Sequence, residues 1–137
     1  MTTDDRYDSL FQWYAAENSI SPWQVIKAQV KAESSFDPMA HSTAGAMGLS
    51  QFMTATFNEW SLKLRLKNPN PFNPEHAIEC QAAYVRWLLD QFAGNVDRAL
   101  GAYNFGVGHE QRRDAWPQET INYVKKINAF LADYLKV

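Results

Sequence analysis

Apolar side chains recur at the 3.6-residue spacing of helices in segment after segment of this chain, and that periodicity points to an all-α domain. Over about 4–17, Tyr7, Leu10, Phe11 and Tyr14 stand at i, i+3, i+4 and i+7 and make one apolar face. The next segment carries its own start signal: Ser21 as N-cap, Pro22 at the first helical position and Gln24 to complete a capping box. Ile20 and Val25 fit the accompanying hydrophobic staple, which predicts a helix over about 22–34. Leu49, Phe52, Met53, Phe57 and Trp60 predict a third over about 47–60. From Leu62 to Phe72 the alternation of Leu62, Leu64 and Leu66 resembles a strand, but Asn68-Pro69-Asn70-Pro71 breaks regular structure and predicts an irregular connection. Asn73-Pro74 opens a long helix, about 74–92, with Ile78, Ala82, Val85, Leu88, Leu89 and Phe92 as its buried stripe. Gly94-Asn95 separates it from a helix of about 96–104, which Gly106 and Gly108 stop. Pro117 precedes a last helix with Ile121, Val124, Ile127, Leu131 and Tyr134 inward, so about six helices are expected.

A chain of 137 residues, 46% hydrophobic, is long enough for one core and short for two, so a single domain over 1–137 is expected. The net charge of −2 and the lack of any Lys/Arg block exclude the electrostatic footprint of a nucleic-acid binder. Cys80 has no possible partner in the chain and belongs in the core. The start, Met1-Thr2-Thr3-Asp4-Asp5-Arg6-Tyr7, has no signal-peptide pattern, and no stretch approaches the ~18 apolar residues of a membrane span.

One acidic residue of fifteen is out of place. Glu33 falls on the side of the second helix that carries Ile26 and Val30, opposite Lys27 and Lys31, and in the last turn, where the helix dipole is negative. Burial and dipole both oppose its ionised form and suit it to general-acid work near neutral pH. Periodicity alone leaves a plainer reading open, a boundary glutamate that points into water.

The neighbouring residues narrow the choice. The run Glu33-Ser34-Ser35-Phe36-Asp37-Pro38-Met39-Ala40-His41-Ser42 is followed by Gly45-Ala46-Met47-Gly48-Leu49-Ser50-Gln51-Phe52-Met53. Downstream come Asn73-Pro74, Ala102-Tyr103-Asn104-Phe105-Gly106 and Tyr123-Val124. In order and separation this set resembles the soluble lytic transglycosylases, a family of lysozyme-like fold, over about residues 20–130; goose-type lysozymes are near neighbours. The resemblance implies that Glu33 is the catalytic acid/base. It implies that Ser42, Gln51 and Met53 line a glycan cleft, and that Tyr103 and Asn104 lie at the sugar beside the scissile bond. Tyr103 is expected close to Glu33, and Tyr123 across the cleft. Ser, Gln and Asn side chains suit the amide and hydroxyl groups of an N-acetylated sugar, and Tyr and Met its apolar patches. Gly45, Gly48, Gly106 and Gly108 allow sharp turns or a close approach of glycan to backbone. Ser50 stands where the family often has an apolar residue, with an expected effect on cleft polarity. Ala77 stands where Asn is usual.

Most glycosidases use two carboxylates. Asp37, Glu59, Asp97 and Glu110 are candidates by type only, and none occupies a motif position as a partner to Glu33. The resemblance therefore implies cleavage of the β-1,4 bond between N-acetylmuramic acid and N-acetylglucosamine of peptidoglycan with closure of a 1,6-anhydro ring, without metal or cofactor. A goose-type hydrolase of peptidoglycan or chitin and a non-catalytic glycan-binding module are the alternatives. The expected partner is the glycan strand of the cell wall, met by a monomer. The chain is expected to be made in the cytoplasm and to act on the wall, as a phage lysin, a virion component or a catalytic domain cut from a longer bacterial protein.

Overall fold

A computed structural model of the protein describes residues 4–136; Met1–Thr3 of the amino-terminal stretch and Val137 lie outside the described residues. The described residues form seven helices and no strand: α1 (Asp8–Glu17), α2 (Gln24–Ser34), α3 (Thr54–Lys63), α4 (Pro74–Gln91), α5 (Val96–Phe105), α6 (Val107–Gln111) and α7 (Gln118–Leu135). The all-α expectation holds, with one short helix more than the six expected. Gly106, at φ +116, ends α5, but Gly108 sits inside α6, so the chain turns once between the two glycines and resumes a helix.

The long helix α4 is the spine. Asn73 caps it by accepting from the His76 N–H at 3.1 Å, and Pro74 follows at the first position, where it has no N–H to leave unpaired. All six residues expected on its inward stripe are buried, packed against α1 and α5. At ~1.5–3 kcal/mol for each large apolar side chain removed from water, this stripe is the largest single contribution to the fold. Asn95 caps α5 in the same way, accepting from the Arg98 N–H at 3.0 Å.

Two elements depart from the sequence expectation at their starts. Helix α2 begins at Gln24, with Trp23 at the N-cap and no side-chain cap. The Val25 and Ile26 N–H groups donate instead to the carbonyls of Pro22 and Trp23, at 3.2 and 3.1 Å, so Ser21 is not needed as a cap. The helix is enclosed rather than two-faced: Val25 through Val30 are all buried. Lys27, expected on a polar face, is 3% exposed and pairs with Asp8 at 2.9 Å beneath the Tyr134 ring. The helix expected over 47–60 starts only at Thr54. Gly48 and Gln51 adopt positive φ values of +77 and +51, which no helix tolerates, and Met47 pairs with Phe52 in a tight antiparallel bridge. Among the described residues no helix is long and apolar enough to cross a membrane.

Candidate active site

Helix α2 ends on Glu33 and Ser34, and the chain reverses at once. Ser35 and Phe36 both take left-handed backbone, at φ 52 and 64, a conformation non-glycine residues rarely adopt. Phe36 holds the reversal by burying its ring against Phe11, 6.5 Å between centroids. The hydroxyl of Ser34 lies 2.8 Å from the Leu49 carbonyl and 3.2 Å from that of Val30. The residue after the acid thus ties the helix end to the loop that follows.

That loop, residues 40–53, is the floor of a pocket of about 380 Å³. Gly48 is where it meets the rest of the molecule: a Cβ here would lie 2.0 Å from the Pro71 carbonyl oxygen. Its N–H donates to Ala40 at 2.8 Å. Gln51 spends both amide hydrogens on the Gly48 and Ala40 carbonyls, at 2.9 and 3.2 Å, so only its carbonyl oxygen remains for a ligand. The Ser42 hydroxyl accepts the Ala46 N–H at 2.9 Å and keeps its own hydrogen to give.

The pocket is lined by Glu33, Ser42, Gln51, Met53, Tyr103 and Asn104 together with Thr43, Ala44, Ala46 and Glu119. Six of the seven site residues expected from sequence therefore meet at one surface. Thr120 donates to the Asn104 carbonyl oxygen at 2.8 Å and leaves the amide nitrogen as the donor available to a ligand. Tyr103 donates its hydroxyl to the Ser50 carbonyl at 2.9 Å, and its ring stands in an aromatic stack with Phe52 and Tyr84.

Tyr123 is placed differently. It is buried behind Glu33 rather than on the pocket wall, and its hydroxyl donates to Glu33 Oε2 at 2.8 Å. Burial, then the Glu33 charge, holds this phenol well above its ordinary pKa, so it stays a donor at any physiological pH. Glu33 keeps part of its surface open, but loss of water around the carboxyl pushes its pKa up to about 8. The Tyr123 hydrogen bond opposes that rise, as does Lys126, and Glu119 adds to it.

Glu119 is the residue that sequence reasoning missed. It is exposed, lines the same pocket as Glu33, and stands one helical turn before Tyr123 on α7, which is the signal that pointed to it. None of Asp37, Glu59, Asp97 or Glu110 lines this pocket; Glu110 is buried in an ion pair with Arg98 at 2.8 Å. Ser50, expected to alter cleft polarity, is wholly buried, with its hydroxyl 2.8 Å from Gln81 Oε1 and 3.2 Å from the Ala77 carbonyl. A smaller cavity of about 160 Å³, between Ile20, Val85 and Leu100, has no carboxyl group in its wall. Cys80 is buried, and burial pushes its thiol up to about 12.

Residues 10–124 match the family model described as the transglycosylase SLT domain. Over 110 residues the chain is 30% identical to membrane-bound lytic murein transglycosylase F of Haemophilus influenzae, covering 76% of this chain and 21% of that protein. Over 103 residues it is 35% identical to peptidoglycan transglycosylase gp16 of Escherichia phage T7, covering 74% of this chain and 8% of the phage protein. The fold superposes on an inactive glutamate-to-glutamine mutant of the lytic transglycosylase Slt of Pseudomonas aeruginosa with a TM-score of 0.86, at 26% identity, over 95% of this chain and 24% of that one. The chain thus spans a quarter or less of each of these relatives.

Proposed function

The chain belongs to the transglycosylase SLT domain family, and from that premise and the single buried acid of its pocket we propose that it cleaves peptidoglycan glycan strands by lytic transglycosylation, with Glu33 as acid and then base. The observation that carries this reading is the Tyr123–Glu33 pair. One carboxylate oxygen accepts the phenol, and the carboxyl as a whole is poised near neutrality by burial. Protonated, Glu33 gives its hydrogen to the β-1,4 oxygen between N-acetylmuramic acid and N-acetylglucosamine, and the C1–O bond breaks. The muramic acetamido oxygen supports the positive charge at C1, as in substrate-assisted glycosidases. Glu33, now ionised and stabilised by Tyr123, takes the proton from the C6 hydroxyl of the same sugar as O6 bonds to C1. The anhydro ring closes, and the acid is restored.

Ser42, Gln51, Met53, Tyr103 and Asn104 supply the wall against which the sugars lie in this reading: a hydroxyl donor, an amide acceptor, an amide donor and two apolar surfaces. Relatives named for action on murein and peptidoglycan support the substrate class, and the phage relative supports a phage setting. The inactive glutamate-to-glutamine mutant of the Pseudomonas relative supports the role given to Glu33.

Clearing of purified cell walls tests the proposal. The native chain clears them; Glu33→Gln, folded by circular dichroism, loses at least ~10²-fold of the rate. Equal clearing by the variant would leave a glycan-binding module and refute the enzyme.

One observation favours a second reading. Glu119 lines the same pocket, and a hydrolase of goose-lysozyme type needs such a carboxylate to activate water. Glu119→Gln separates the two. Under transglycosylation the variant still yields anhydro ends, and the alkaline limb of its rate profile moves to lower pH, because a like charge beside Glu33 is gone. Under hydrolysis it stops cleaving.

A further inference from the structure

Behind Tyr123 runs a line of buried polar side chains that neither packing nor substrate contact explains. Gln29 on α2, Gln81 on α4 and Ser50 in the pocket loop are each 0% exposed, in a core where an apolar side chain would avoid the cost of burying amides. Their bonds run in one direction. The Ser50 hydroxyl donates to Gln81 Oε1 at 2.8 Å, and Gln81 Nε2 donates to Gln29 Oε1 at 2.8 Å. Gln29 Nε2 donates to the Tyr123 oxygen at 2.9 Å, and Tyr123 donates to Glu33 Oε2 at 2.8 Å.

The direction is set at the far end. Gln81 Nε2 also lies 3.4 Å from the Ile26 carbonyl, so turning that amide over would set two carbonyl oxygens against each other. With Gln81 held, Gln29 must present its carbonyl to Gln81 and its NH₂ to Tyr123. A phenol has one hydrogen. Because its oxygen already receives the Gln29 N–H, that hydrogen is free for Glu33 and has a strengthened acidity for the bond it makes.

We propose that Gln29, oriented by Gln81 and Ser50, is a positioning residue that commits the Tyr123 hydrogen to Glu33 and so stabilises the carboxylate Glu33 must become after it has acted as acid. This rests on Glu33 being the acid/base of the site. The other groups that face Glu33 are Glu119 and Lys126 from α7 and Tyr103 from α5; the loop from Ser42 to Met53 brings no ionisable side chain. Only the relay passes through three separate elements to reach the acid, and the Gln29 bond in turn lowers the Tyr123 phenol from where its burial would put it.

The test is a carbon-detected NMR titration of the Glu33 carboxyl in the free protein, a readout that needs no turnover and survives if the cleavage reading fails. Gln29→Met raises the Glu33 midpoint by about one unit, and Tyr123→Phe raises it by at least as much. Adding Gln29→Met to Tyr123→Phe changes nothing further, because the relay acts only through the phenol. Gln29→Met leaves Gln81 without an acceptor; where that costs the fold, the triple variant Gln29→Leu, Gln81→Leu, Ser50→Ala removes the whole line without orphaned groups, and the same rise is expected. An unmoved midpoint in the single or triple variant, with Tyr123→Phe shifted, overturns the proposal. So does a second, additive shift in the double variant.

Discussion

At the scale of the residue, the site depends on how far the protein displaces one carboxyl from its ordinary chemistry. Glu33 is raised from 4.5 to about 8, chiefly by burial, so the folded chain binds a proton that the unfolded chain has already released across that interval. The sign follows: the native chain loses stability as pH rises through the window, by up to ~1.4 kcal/mol per pH unit. Glu33→Gln, which carries no charge to bury, gains on the native chain as pH rises from 5 to 9; urea unfolding at the two pH values measures it, and a constant difference contradicts the pKa. Cleavage by the native chain falls as pH rises past about 8, since the acid is then ionised. Periodicity was enough to put Glu33 on the apolar side of its helix. It was silent on Tyr123, whose contact with Glu33 joins residues 90 apart in the chain, and on Gln29, whose partners come from two other elements. Those contacts are tertiary, and no local pattern encodes them.

At the scale of the element, the pocket floor is a loop held by backbone geometry more than by side chains. Gly48 and Gly45 both have positive φ, but they differ in what surrounds them. A Cβ at Gly48 meets a backbone carbonyl at 2.0 Å, whereas at Gly45 it meets only the tip of Met53 at 3.9 Å. Gly48→Ala therefore costs about 3 kcal/mol or more, from strain plus a clash that only a backbone shift relieves, and Gly45→Ala about 1 kcal/mol from strain alone. Thermal melts of the two variants rank them, and equal melting temperatures contradict the account. The same glycine explains why the helix expected over 47–60 starts seven residues late. Leu49, Phe52 and Met53 are spaced as on a helix, but the left-handed backbone at Gly48 and Gln51 outweighs the spacing. Elsewhere the pattern sufficed: α4, α5 and α7 lie where periodicity and their flanking Asn, Gly and Pro residues put them.

At the scale of the molecule, the two halves of the site, α2 with its loop and α5 with α7, must be held in register. Part of that register comes from a clamp at the far end of α5. Buried Glu110 accepts from Arg98 Nε at 2.8 Å and Trp116 Nε1 at 2.6 Å, and Trp116 covers Gly101, where a Cβ would come within 2.5 Å of the indole. Glu110→Ala leaves Arg98 unpaired; with 24% of that side chain exposed, the expected loss is about 2–3 kcal/mol, below the figure for a fully buried pair. Urea unfolding checks it. The chain spans only a quarter or less of the relatives it matches, yet the acid, its phenol and the pocket wall all lie within residues 33–123. The central claim is that Glu33 acts twice and that water does not enter the product. Mass spectrometry of cell walls digested in ¹⁸O-labelled water tests it directly: muropeptides that end in unlabelled 1,6-anhydromuramic acid are predicted, and reducing ends one labelled water heavier would contradict it.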